Sequence, residues 1–307
     1  MQLDRRKFIV TSAAVSVANA ATRVIADDKA DGWIDAHVHV WTPDTKKYPL
    51  NKNYKIANMQ PPSFTPGELF AHSKPSGVTR IVLIQMSFYR YDNSYMLQAI
   101  KDHPGVFSGV GIVDHHQVDV AAKMKQLAEG GVRGFRIHAR GDDAANWVND
   151  AGMAKVWKTA AEHGLAVCPL INPDDLQHID RMCTRFPDTK VVVDHFARTG
   201  VSGKIDPKHV DALSRLGRFP KAHVKTSAFY ALGKKAIPYD DLKPMIRRML
   251  DAFGASRLMW ASDCPYQVQG DHNYEASIAL IRDRCEFLSE SDKNFILRDT
   301  AKRLFFS

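Results

Sequence analysis

The chain has 307 residues, 45% hydrophobic and 25% charged, a balance that excludes disorder, collagen and low-complexity sequence. It is long enough to bury a core without covalent staples, and four scattered cysteines with no CxxC pair exclude a disulfide framework. The net charge is +8, but its Lys and Arg are dispersed rather than gathered on one helix or tail, which argues against a nucleic-acid partner.

The opening, MQLDRRKFIVTSAAVSVANAATRVIADD, has a basic start and an apolar stretch from Phe8 to Ala21. Small-residue cleavage options follow at Ala18-Asn19-Ala20 and Val24-Ile25-Ala26. This is the pattern of a signal peptide, and Arg5-Arg6-Lys7-Phe8-Ile9 fits the twin-arginine kind. The expectation is an exported, periplasmic protein, with residues 1–26 as the address and 27–307 as one mature domain. The apolar stretch is too short and too rich in small residues to span a bilayer, so no membrane insertion is expected once it is removed. The first 26 residues carry +3, which leaves +5 on the remainder, a field suited to an anionic or hydroxylated small-molecule substrate.

From Gly32 onward one grammar repeats: a short apolar run rich in β-branched residues, a polar loop, then a helical period. The runs predict strands at 33–40, 80–86, 107–113, 132–138, 166–171, 190–196, 223–229 and 258–263. Helical patterns fill the intervals at 93–101, 118–128, 153–163, 174–186, 208–218 and 240–253, and two more, 275–287 and 292–305, close the chain. Gly130, Gly164 and Gly254 read as helix stops, and Pro173 and Pro207 as helix starts. Eight such units predict an α/β fold, a parallel (β/α)8 TIM barrel in a single domain. Residues 42–77 form an elaborated first loop, whose Trp41, Tyr48 and Tyr54 are candidates to roof a pocket.

In such a barrel the chemistry sits at the C-terminal ends of the strands. The first strand ends in Asp35-Ala36-His37-Val38-His39, and the two-residue period of a strand puts His37 and His39 on one face. Two imidazoles so placed commonly hold one divalent metal. The fourth strand ends in Arg136-Ile137-His138 and the sixth in Asp194-His195, with His195 the expected inward residue. The eighth ends in Trp260-Ala261-Ser262-Asp263. A carboxylate beyond that apolar run is costly unless it is paired, bound or functional.

DAHVHVW on the first strand, VVVDH on the sixth and MWASDCP on the eighth resemble the amidohydrolase superfamily. DNSYMLQAIKDHPGVFSGVGIVD and GVRGFRIH are similar to its amidohydrolase-2 branch of sugar-lactone and pyrone-dicarboxylate lactonases. The resemblance runs from about Gly32 to the C-terminus. It implies a hydrolase in which Asp263 acts as base on a water and His195 polarises the carbonyl or shuttles protons. It also implies one divalent ion, zinc or manganese, on His37, His39, Asp263 and His138, or else a metal-independent site. The fifth strand offers only Cys168 and Asn172 as ligands, and the fourth has no lysine or glutamate to bridge two metals, so a binuclear site is not expected.

The reaction expected is the opening of a lactone by water. Without metal, His37, His39 and His195 would donate to the oxyanion. Arg136 is the expected anchor for a substrate carboxylate or hydroxyl; Gln85, Arg90, Lys225 and Tyr230 are further substrate-binding candidates. Two alternatives stand beside this reading. A metal-dependent non-oxidative decarboxylase would want a histidine on the fifth strand. A non-catalytic sugar-acid binding protein would not need His37, His39 and Asp263 together. Cys264 reads as a packed thiol and His115-His116 as solvated loop residues.

Overall fold

Eight apolar runs become eight strands: β1 (Trp33–Val38), β2 (Val78–Ile84), β3 (Phe107–Gly111), β4 (Val132–His138), β5 (Ala166–Leu170), β6 (Lys190–Val193), β7 (Ala222–Ser227) and β8 (Leu258–Ala261). The computed structural model describes residues 32–139 and 143–307; the expected signal segment lies outside them. Neighbouring strands all pair in parallel, and their order in the sheet is their order in the chain. The ends of the sheet meet at Val38 and Cys264. There the His39 N–H donates to the Cys264 carbonyl (2.8 Å) and the Asp263 N–H to the His37 carbonyl (2.9 Å). The (β/α)8 barrel is thus zipped at the end where β1 and β8 finish, which is where the candidate chemistry lies.

The helices are α1 (Pro66–Ser73), α2 (Ser94–Asp102), α3 (Val120–Glu129), α4 (Asp143–Asn146), α5 (Ala151–Glu162), α6 (Leu176–Arg185), α7 (Pro207–Arg215), α8 (Lys243–Phe253), α9 (Tyr274–Ala279), α10 (Glu290–Asn294) and α11 (Thr300–Phe305). In α5 the buried Met153, Val156, Trp157 and Ala160 recur at helical spacing, and the Asp150 side chain caps it by accepting the Met153 N–H. The elaborated first loop contains a helix that periodicity did not predict. Thr65 and Glu68 form a capping box around Pro66 at the start of α1. Trp41 is fully buried and packs on Phe64, Phe88 and Tyr266, so it braces the loop rather than roofing a pocket. The stop expected at Gly130 falls one residue later, where Gly131 takes a φ of +98°.

The barrel interior is layered. Its floor is an apolar cluster that includes Ile34, Val82, Val110, Cys168, Val192 and Met259. The C-terminal helix α11 touches β1, β4 and β8 and adds Ala301, Leu304 and Phe305 to this cluster. Above the floor the interior turns polar, and Lys225 Nζ stands 5.8 Å over the Phe305 ring. All strands but β4 end one to three residues before their apolar run does. The residues gained for the mouth by these early exits are the ones that build the site.

Candidate active site

Three imidazoles converge on one carboxylate oxygen. Asp263 Oδ1 lies 3.5 Å from His37 Nε2, 3.4 Å from His39 Nε2 and 3.7 Å from His195 Nε2. His37, His39 and Asp263 can bring ligand atoms within 4.8 Å of one another. All four residues are buried.

The surroundings favour one tautomer for His39 and for His195, whereas both ring nitrogens of His37 face cationic donors, Lys225 Nζ at Nδ1 (3.1 Å) and Arg136 at Nε2. His39 Nδ1 lies 2.9 Å from the Ile84 carbonyl, which can only accept, so in the neutral ring Nδ1 carries the hydrogen and Nε2 the lone pair. His195 Nδ1 lies 2.8 Å from Ser227 Oγ, whose own hydrogen goes to the Lys225 carbonyl (3.3 Å); its Nε2 therefore also presents a lone pair. Arg136 Nη2, which can only donate, is 3.1 Å from His37 Nε2. Burial pushes the pKa of His37 well below its ordinary value, with the Lys225 ammonium adding to the effect, and burial lowers that of His195 too. Burial opposes ionisation of Asp263, but the facing imidazoles, His195 first, hold its carboxyl far below the ordinary range. Three imidazole nitrogens and a carboxylate oxygen around one point suit a positive charge held between them, carried by a proton or by a divalent cation. The donor set fits one such ion.

Behind the imidazoles lies a buried charge cluster that sequence reasoning only half found. Asp194 is fully buried; its Oδ1 lies 3.0 Å from Lys225 Nζ and 3.4 Å from His37 Nδ1. Its Oδ2 accepts from Arg136 Nε (3.3 Å) and Nη2 (3.2 Å). Burial alone would raise the pKa of Asp194, but Lys225, His37 and Arg136 together hold it well below the ordinary carboxylate range. The sequence placed Asp194 and His195 on one strand, with only one of them inward. In the structure β6 stops at Val193 and the backbone of His195, Phe196, Ala197 and Arg198 is left-handed, with φ from 51° to 59°. That turn brings both side chains into the site. Asp194 was legible only as a carboxylate following three valines, a position that asks for a partner.

The other expected residues fall in three places. Tyr230 donates to Asp263 Oδ2 (2.7 Å), which leaves Oδ1 facing the histidines; burial, and then the neighbouring Asp263, push its phenol pKa upward. Tyr230 lines a cavity of about 300 Å3 together with His39, Arg136, His195, Asp263 and Tyr266. Arg136 and Arg90 also line an adjoining cavity of about 440 Å3. His138 lines that outer cavity as well and does not join the His37–His39–Asp263 cluster; it ends β4 on the far side of Arg136, so its expected role as a ligand is withdrawn. Lys225 and Gln85 line neither cavity. Lys225 is spent on Asp194, and Gln85 donates through Nε2 to the carbonyls of Arg90 (3.2 Å) and Asp92 (2.5 Å). Cys168 belongs to the apolar floor, where burial pushes its thiol up to about 12, and Asn172 Oδ1 accepts from Arg198; β5 supplies no ligand. Cys264 is a packed thiol, its pKa raised by burial.

One buried carboxylate locks the seam beneath this site. The pairing of β1 with β2 is irregular between Asp35 and Val38. Asp35 Oδ1 accepts the N–H groups of His37 (3.1 Å) and Ser262 (2.9 Å), while Oδ2 accepts the Tyr274 hydroxyl (2.7 Å). Burial, against these hydrogen bonds, pushes its pKa up to about 6. A folded pKa above the unfolded value gives stability that is full below the unfolded value and is lost as pH rises through 6. Asp35→Asn keeps an oxygen for the two N–H groups and removes the titration. Relative to wild type, the variant should therefore gain up to about 3 kcal/mol between about pH 4 and pH 7. Urea denaturation of both proteins across that range measures it, and parallel curves would refute it.

Fold and site together define a barrel hydrolase, with a His/Asp centre at the C-terminal mouth. Residues 34–306 match the amidohydrolase family, and the chain belongs to it. It is 31% identical over 267 residues to an L-fucono-1,5-lactonase of Burkholderia ambifaria, covering 82% of this chain and 88% of that one. It is 28% identical over 250 residues to a 2-pyrone-4,6-dicarboxylate hydrolase of Comamonas testosteroni, covering 78% and 79% of the two. A solved amidohydrolase of Burkholderia multivorans with bound zinc shares the fold at a TM-score of 0.75 and 20% identity, covering 89% of this chain and 99% of that one. The chain is a hydrolase whose relatives open lactones.

Proposed function

We propose that the chain hydrolyses a sugar-acid or dicarboxylate lactone, with Asp263 as the base. The observation that carries this is the convergence of three imidazole Nε2 atoms on Asp263 Oδ1 at the edge of a cavity of about 300 Å3. The sugar-acid lactone is the first choice, since the relative at 31% identity is named for one.

Asp263 takes a proton from a water, which adds to the lactone carbonyl. The ring C–O bond then breaks, and the proton returns through Asp263 to the leaving alkoxide. Tyr230 holds Oδ2, so the proton enters and leaves at Oδ1. Arg136 borders both cavities, and its guanidinium faces the carbonyl oxygen or a neighbouring substrate carboxylate. Acidifying that water, together with polarising the carbonyl, is what a divalent ion on His37, His39 and Asp263 would supply. The decarboxylase alternative lacks its fifth-strand histidine, and a mere binder has no use for a buried carboxylate facing three imidazoles.

The test is hydrolysis of sugar-acid and dicarboxylate lactones, followed by proton release, on protein first loaded with zinc and freed of excess. We expect turnover of at least one class and about one retained equivalent of zinc, reduced to background in His39→Ala. Wild-type protein that opens no lactone overturns the reaction; equal zinc retention in His39→Ala overturns the ligand set.

A further inference from the structure

The inner cavity suits a single-ring lactone, since about 300 Å3 is already at the lower end of small-molecule sites. Across Arg136 and Ser87 lies the larger outer cavity of about 440 Å3. It is lined by Arg90, His115, His116, His138 and Trp147, among others, and adds room for a second ring.

Its lining sets two arginines, Arg90 and Arg136, against one acid, Asp150, which lies 3.9 Å from His115 Nε2. Asp150, the one acid lining it among the described residues, caps α5 through the Met153 N–H. Arg136 is committed to Asp194. Arg90 has no acidic partner among the described residues: its Nη2 is 3.5 Å from the Tyr91 hydroxyl and its guanidinium lies 5.1 Å from that ring. Yet Arg90 is firmly placed. Its φ is +47°, a conformation that an ordinary L-residue occupies at a cost. The buried Gln85 secures it by donating to the carbonyls of Arg90 and Asp92. An arginine whose backbone is held from below by a buried amide and whose guanidinium meets no acid among the described residues is suited to anchor an anion.

We propose that the substrate of this chain is a lactone carrying a second, ring-sized, negatively charged unit. The lactone lies against Asp263, and the distal carboxylate lies in the outer cavity on Arg90. This rests on the lactonase reading and extends it: the charged second ring, absent from a simple sugar-acid lactone, sets the specificity.

The experiment compares gluconolactone, cellobionolactone and the analogue of cellobionolactone with a glucuronosyl second ring. In wild type, kcat/KM for the charged two-ring lactone should exceed that of the neutral one by tenfold or more, through KM. Arg90→Gly removes the guanidinium and keeps the fold, because glycine adopts positive φ freely; it should bring the ratio near one. Arg90→Asn, also at ease with left-handed backbone, should do the same. Calorimetry with the three ring-opened acids reads binding without turnover and should show the same preference and the same loss. Equal kcat/KM for the charged and neutral two-ring lactones in wild type, or an unchanged preference in both variants, overturns the outer site while leaving the lactonase reading intact. An Arg90-dependent binding preference with no lactone opened would support the outer site and overturn the lactonase reading.

Discussion

Asp263→Asn should lower kcat for lactone opening by about a hundred- to ten-thousandfold, the range of a lost general base, in a variant that still folds cooperatively. The fold tolerates the change for two reasons. Asp263 has a φ of +66°, and asparagine is among the few residues at ease there. The amide oxygen can still accept the Tyr230 hydroxyl that now donates to Oδ2 at 2.7 Å. What the amide cannot do is take a proton from water. Lactone turnover and circular-dichroism melting on the same preparation check both halves. Unchanged turnover removes Asp263 from the chemistry. A collapse in melting temperature alongside lost activity would show that its charge serves the fold. Tyr230→Phe gives a graded companion result: with Oδ2 released, the carboxylate is free to turn and kcat falls without the base being lost.

The sequence exposed this centre because its signals are local. His37 and His39 share a face through the strand period, and Asp263 follows an apolar run. Both sit at ends of strands that the apolar runs delimit, so topology alone brings them to one mouth. Asp194 and Lys225 were less legible for a physical reason. Whether a polar side chain at a strand end reaches the mouth or sinks toward the floor depends on where the strand stops. The stop of β6 at Val193 is set by a run of left-handed residues that carries no glycine and so no propensity signal. Gln85 misled in the same way: as a polar residue near the end of β2 it resembled a substrate contact, whereas its partners are carbonyls of the loop that follows. His138 shares a strand face with Arg136, but the site closes on the near side of that arginine and leaves it in the adjoining cavity. The helix α1 was hidden in a proline-rich loop, although its capping residues were there to read.

Asp194→Asn should be the more damaging change for stability, and a second substitution should partly reverse it. Asp194 is the counter-ion of two buried cations, Lys225 at 3.0 Å and Arg136 at 3.2 Å, and both cations are themselves buried. Neutralising it leaves two buried positive charges facing an amide. Breaking a buried ionic cluster in this way costs about 3–5 kcal/mol. Adding Lys225→Met removes one of the stranded charges and puts an apolar chain toward the Phe305 ring, over which the ammonium now stands. The double variant should therefore be more stable than Asp194→Asn alone, whereas two independent losses would add. The pH dependence has a definite sign. The folded pKa of Asp194 lies well below its ordinary value, so its contribution is present above the unfolded carboxylate pKa and is lost as pH falls through the folded one. Asp194→Asn should flatten the acid limb of the stability curve and leave the alkaline limb in place. Chemical denaturation of the two single variants and the double variant, repeated in acid, reads both effects. An additive cycle would mean that the cluster is not one electrostatic unit, and that His37 is held in place by its strand rather than by the charges behind it.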